Sequence, residues 1–263
     1  MFKRELKVNF KNALIWFMVL AGLFAIIVVA YPFIIDSENM ESIKAMMDMF
    51  PPEMLKMFNM DLAMIDTAYG WVKTEGFIFI LLVISCYASV LGSNILLKEE
   101  NDKTIEYLVS LPISRVKIVI SKMLVGLIYI VAMVVLFGLV LYGALLVAGP
   151  LDHLQYILLS ITPLFPALVI YFATMFISTF THKTKKMLGI SLGVTFVSYI
   201  LHLISSIGAS VEFVKYFSVF TLADLRNVMQ NIALNPIMLA ITIVLCGIFA
   251  CVTVLRYNSK ELV

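Results

Sequence analysis

GFIFILLVISCYASVLGSNILL, residues Gly76–Leu97, runs for 22 residues without Asp, Glu, Lys or Arg and stops abruptly at Lys98-Glu99-Glu100. An α-helix rises about 1.5 Å per residue, so ~20 residues cross a hydrocarbon core of about 30 Å. Five more stretches of 20 or more residues read the same way: Ala13–Ile35, Ile118–Ala148, Leu154–Thr181, Met187–Ser206 and Pro236–Leu255. Among all six, only Lys122 carries a formal charge, and it lies one turn inside a helix end. A charge at mid-bilayer costs about 2.5–3.5 kcal/mol on translocon-insertion scales, so runs this clean are informative. They predict an all-α polytopic membrane protein with six transmembrane helices.

Composition points the same way. The chain is 62% hydrophobic and 14% charged, with a mean hydropathy of +1.02. A soluble domain carries about 25% charged residues. The basic residues assign the sides. Fourteen of the 19 fall in the N-terminal segment, the second and fourth connections and the C-terminal segment. The other five, Lys44, Lys56, Lys73, Lys215 and Arg226, lie in the first and fifth connections. The positive-inside rule then predicts cytoplasmic N and C termini. The first run is longer than a signal-peptide core and no small-x-small site follows it, so it is expected to be a span and not a cleaved leader. Cys86, Cys246 and Cys251 all lie within spans, which argues against a disulfide framework. No domain boundary is evident, and residues 1–263 are expected to form a single transmembrane domain.

Between the spans, several segments have a pattern of their own. Phe2, Leu6 and Phe10 recur every four residues among basic ones, which predicts an N-terminal amphipathic elbow helix on the inner leaflet. The first external connection, Asp36–Glu75, holds eight acidic residues, three lysines and eight methionines. Met54, Met57, Met60 and Met64 fall on one helical face there, after Pro51 and Pro52. Thioethers can bind Cu(I), but adaptable apolar packing is the better reading of this stripe, and no metal site is expected. Pro163 and Pro166 predict a kink or break in the outer part of the fourth span. Ile207–Asn235 reads as short helices at the outer interface. Ser85 and Ser89 in the second span, and Gly189 and Gly193 in the fifth, form small-residue faces suited to close helix packing or to a dimer interface.

The most structured connection is Leu97–Arg115. Asn101 or Asp102 is expected to cap a short helix whose apolar face is Ile105, Leu108 and Val109. Pro112 would stop that helix and Ser114 would cap the third span. A short rigid helix of this kind suits docking into a cleft on a soluble partner, with Glu106 and Arg115 as exposed charges and Leu108 as the apolar anchor.

That connection also carries a resemblance. Glu99-Glu100-x-x-Lys103-Thr104-Ile105-Glu106-x-Leu108-x-Ser110-x-Pro112-Ile113-Ser114-Arg115, between the second and third spans, is similar to the coupling segment of the ABC-type-2 (ATP-binding-cassette) permeases. The six-span plan, the elbow, the external helices before the last span and the tail Arg256–Leu262 also resemble that family, its small bacterial six-span permease subunits in particular. One departure is Lys103, where the family often has glycine. The resemblance implies a permease subunit of an ATP-driven exporter in the cell membrane. It would form the translocation pathway with a second permease subunit, identical or different, and couple to separate ABC ATPase subunits. Glu99, Glu100, Thr104, Glu106, Leu108, Ser110, Pro112, Ser114 and Arg115 would make up the ATPase-coupling segment.

The residues themselves fit that division of labour. The chain has no Gly-x-x-x-x-Gly-Lys-Ser/Thr phosphate loop, so ATP would be hydrolysed by a partner subunit and no cofactor is expected on this chain. No catalytic residue is expected. His153, His182 and His202 do not form a His-Glu-x-x-His pair, and Glu99-Glu100 lies in a loop, unlike the intramembrane pair of CAAX-type proteases. The spans lack the buried carboxylates that ion-coupled transport uses. His202, the one imidazole inside a span, is better read as satisfied by a neighbouring helix than as a gate. A membrane-embedded sensor or immunity protein is the alternative. The expected partners are thus the bilayer, a second permease and an ATPase, with no nucleic acid.

Overall fold

The computed structural model describes residues 2–34, 76–110, 112–148, 152–207, 209–223 and 231–260, with a few isolated positions between them. The expected methionine face Met54, Met57, Met60 and Met64 lies outside the described residues. Every regular element described is helical: α1 Phe2–Ile34, α2 Phe77–Ile95, α3 Lys98–Asn101, α4 Ile105–Ser110, α5 Arg115–Ala148, α6 His153–Ile161, α7 Leu164–Ser178, α8 Thr184–Ser205 and α9 Pro236–Ser259. Two 3-10 segments, Ala209–Phe217 and Val219–Ala223, precede α9. Six units are long and apolar enough to cross a membrane, with α6 and α7 together forming the fourth.

Local chemistry sets several ends. The Asp152 carboxylate accepts from the amides of Leu154 and Gln155 (3.1 and 3.2 Å) and so starts α6. The Asn235 side chain accepts from the Ile237 amide at 3.0 Å, with Pro236 at the first helical position of α9. The fourth span breaks between Ile161 and Leu164, immediately before and at Pro163, as the prolines predict. The N-terminal amphipathic stretch differs from expectation. It is not a separate elbow element but the first three turns of α1, which continues unbroken from Phe2 to Ile34. Neither Gly nor Pro occurs before Gly22, so nothing in the backbone ends the helix there.

Helix α2 is the centre of the bundle. Of its apolar window 72% is buried, against 11% for α1 and for α9, so those two helices present most of their surface outward. The most extensive helix contacts of α2 are with α7 and α8, and α1 and α5 close over its other side. Two glycines permit the tightest approaches. A Cβ on Gly92 of α2 would run into the carbonyl of Tyr171, and one on Gly126 of α5 would run into the Tyr171 ring and hydroxyl. Tyr171 is thereby clasped between α2 and α5, fully buried, with its hydroxyl donating to the Lys122 carbonyl at 3.2 Å. The small-residue faces separate here. Ser85 and Ser89 are fully buried within this one chain, whereas Gly189 and Gly193 of α8 have open space where a side chain would go.

Candidate functional site

The segment between α2 and α5 is a built structure at one end of the bundle. Helix α3 closes with a 6→1 bond from the Thr104 amide to the Glu99 carbonyl (2.9 Å) around a 5→2 bond from Lys103 to Glu100 (3.4 Å). This is a Schellman turn, and its left-handed residue is Lys103, with φ of 53°. Asn101 and Asp102 therefore end α3, contrary to the expectation that one of them caps the following helix. The turn at Lys103 re-aims the chain, and the Thr104 carbonyl takes the first bond of α4, from the Leu108 amide at 3.1 Å. Ser114 caps α5, its hydroxyl accepting from the Lys117 amide at 3.3 Å.

Two buried ionic nodes hold this segment to the rest of the molecule. In the first, the fully buried Lys122 ammonium donates to both Glu99 carboxylate oxygens (2.8 and 2.7 Å) and to the Ile95 carbonyl (2.6 Å). Glu5 of α1 stands 3.6 Å away and is itself buried. In the second, Glu100 is bracketed by Lys260 at 2.7 Å and by His182 Nδ1 at 2.6 Å. Lys260 also donates to the Thr181 carbonyl at 2.9 Å. The Arg115 guanidinium donates to the carbonyls of Asn258 and Lys260 (3.1 and 2.9 Å), and so covers the C-terminal end of α9. Burial lowers the pKa of Lys98, although the carboxylates of Glu5, Glu99 and Asp102 oppose the shift; Lys122 adds to it.

The nodes join the start of α1, the end of α2, the start of α5, the α7–α8 connection and the end of α9. Both ends of the described chain and both of these connections thus lie at one end of the bundle. A buried ion pair needs such dense satisfaction, because losing water costs several kcal/mol per ion. The side chains divide accordingly. Glu99 and Glu100 face inward and are not part of the segment's surface. Leu108 also differs from expectation as an exposed anchor. It is 3% exposed and packs with Ile105 against Ile118, because the first turn of α5 offers its apolar stripe a nearer partner than any other protein could. Glu106, Ser110, Pro112 and Ser114 are exposed, and Thr104 and Arg115 are half-buried. Among the described side chains, the exposed ones thus include the polar Glu106, Ser110 and Ser114.

Sequence reasoning missed Lys122, His182 and Lys260. Lys122 did leave a signal, as the one charge inside an apolar run.

No group of three His, Cys, Asp or Glu side chains suited to a metal occurs among the described residues. Six membrane-crossing helices, with a capped and ion-paired segment displayed at one end, define a multi-pass membrane protein with a structured surface connection. More particularly, the family model described as ABC-2 family transporter protein matches residues 1–262, and the chain belongs to that family. The family is a membrane transport component and is not itself catalytic. No curated protein and no solved structure matches the chain.

Proposed function

We propose that the chain is the permease subunit of an ATP-driven exporter in the cell membrane, paired with a second permease subunit and powered by separate ATPase subunits. Membership of the ABC-2 family supports this class of function. One observation carries the coupling role. The α3–α4 connection is exposed on one face, buried ion pairs tie its other face to α1, α5 and the end of α9, and the Glu100 carboxylate also meets His182 Nδ1 of the α7–α8 connection. Force applied to such a segment reaches several spans at once, whereas a slack loop would absorb it. Fourteen of the 19 basic residues belong to the segments and connections at this end, which supports a cytoplasmic position for it.

On this reading Glu106, Ser110, Pro112 and Ser114 meet the ATPase, and Glu99 and Glu100 transmit its motion inward. The test is affinity purification of the full chain from its own cells. An ATP-hydrolysing subunit is expected to co-purify, and Glu106→Lys is expected to reduce both its recovery and transport at normal expression. Wild-type recovery and transport in that variant would refute the coupling role of this segment, and the absence of any ATP-hydrolysing partner from the wild-type preparation would refute the permease reading.

A further inference from the structure

We propose that the first three turns of α1 form a binding face for anionic phospholipid headgroups. At 3.6 residues per turn, Lys3, Arg4, Lys7 and Lys11 fall within a sector of about 100° on one side of this helix. All four are exposed, and none enters an ion pair among the described residues. Only one carboxylate occurs in this stretch, and it does not neutralise them. Glu5 points to the opposite side, 3% exposed and drawn inward by Lys122. Asn9 lies on the same inward side, its amide donating to the Glu5 carbonyl at 2.9 Å. The Tyr129 hydroxyl donates to the Leu6 carbonyl, which pins the helix rotation further. The outward face thus carries four cations and no anion.

Its depth also fits. Glu5 meets Lys122, the last charged residue of α5, and Leu6 meets Tyr129 about two turns further on, so these turns lie where α5 passes from charged to apolar residues. Phe10 is 59% exposed and lies about 20° around the helix from Lys3, at the edge of the stripe. A cationic stripe edged by an exposed aromatic matches the boundary between phosphate and acyl chain. A soluble acidic protein would satisfy the cations but not the ring, so charge and apolarity together favour lipid.

Each cation near an anionic surface contributes about fivefold in association. The experiment uses the full chain with Trp71→Phe, which leaves Trp16 as the reporter, in nanodiscs of phosphatidylcholine with a minor fraction of phosphatidylglycerol. Brominated acyl chains are placed on one lipid or the other at equal mole fraction. Brominated phosphatidylglycerol is expected to quench Trp16 more strongly, with an association preference of at least about fivefold over brominated phosphatidylcholine. The preference should fall to near one in Lys3→Gln/Arg4→Gln/Lys7→Gln/Lys11→Gln and persist in Lys3→Arg/Lys7→Arg/Lys11→Arg. If the fourfold variant does not fold, Lys7→Gln/Lys11→Gln should give an intermediate preference. Equal quenching by the two lipids in the unsubstituted stripe, or an unchanged preference in the glutamine variants, would overturn the proposal. Equal quenching accompanied by loss of a soluble partner in the fourfold variant would overturn it in favour of a protein ligand. The readout does not depend on the ATPase, so its failure is distinct from failure of the permease reading.

Discussion

Replacing Lys122 with methionine should do more damage than any other single change at the end of the bundle that holds the two ionic nodes. The ammonium is fully buried and makes three contacts of 2.6–2.8 Å, two with Glu99 and one with the Ile95 carbonyl. Methionine fills much the same volume, so packing is roughly retained while Glu99 loses its counter-ion in a dry site. Breaking a buried pair from one side costs about 3–5 kcal/mol. At about 2–4 °C per kcal/mol for a chain of this size, the midpoint of thermal unfolding should fall by roughly 6–20 °C. Replacing Glu99 as well, Lys122→Met with Glu99→Leu, removes the nearer of the two stranded carboxylates, leaving Glu5, and should recover part of that loss. The assay is thermal unfolding of the purified protein in detergent, with limited proteolysis at the α3–α4 connection as a second readout. A Lys122→Met midpoint within about 1 °C of wild type would refute the reasoning, since a shift that small corresponds to well under 1 kcal/mol. A double variant no more stable than the single one would also refute it.

Other expectations follow from single positions. Gly126→Ala should lower stability by about 1–3 kcal/mol, because its Cβ meets the Tyr171 ring, whereas Gly143→Ala, with open space around it, should be neutral or slightly stabilising; thermal midpoints of the pair decide this. Lys103→Gly should raise the midpoint by a few degrees, because a left-handed residue at φ 53° costs an L-amino acid about 1 kcal/mol; an unchanged or lower midpoint would contradict the Schellman assignment. Cysteine at Ser210 should react with an impermeant reagent in intact cells, and cysteine at Thr184 only after permeabilisation. The reverse pattern would invert the membrane orientation.

How far the fold could be read in advance depended on the range of the interaction. Spans are local: a window of about 20 apolar residues suffices, and the break in the fourth span follows from Pro163 and Pro166. Caps at Ser114 and the end of α4 before Pro112 are local too. The inward turn of Glu100 is not, because its partners His182 and Lys260 lie 82 and 160 residues further along. An acidic pair in a loop looks solvent-facing until the chain folds. Leu108 gave the same ambiguity, since periodicity reveals an apolar face without saying what covers it. Small-residue stripes were indistinguishable by composition, and packing alone separated the buried Ser85 and Ser89 from the open Gly189 and Gly193. Lys103 was visible only as a departure from a family pattern, and its left-handed backbone supplies the physical reason glycine suits that position.

The coupling role is tested most directly by a photo-reactive amino acid at Glu106, on the exposed face of α4, activated in cells that make the full transporter. The expected result is a covalent adduct between this chain and an ATP-hydrolysing subunit, with a yield that changes when nucleotide is trapped. Absence of any such adduct from Glu106, in protein that inserts and assembles normally, would contradict the assignment of the α3–α4 connection as the point where ATPase motion enters the membrane.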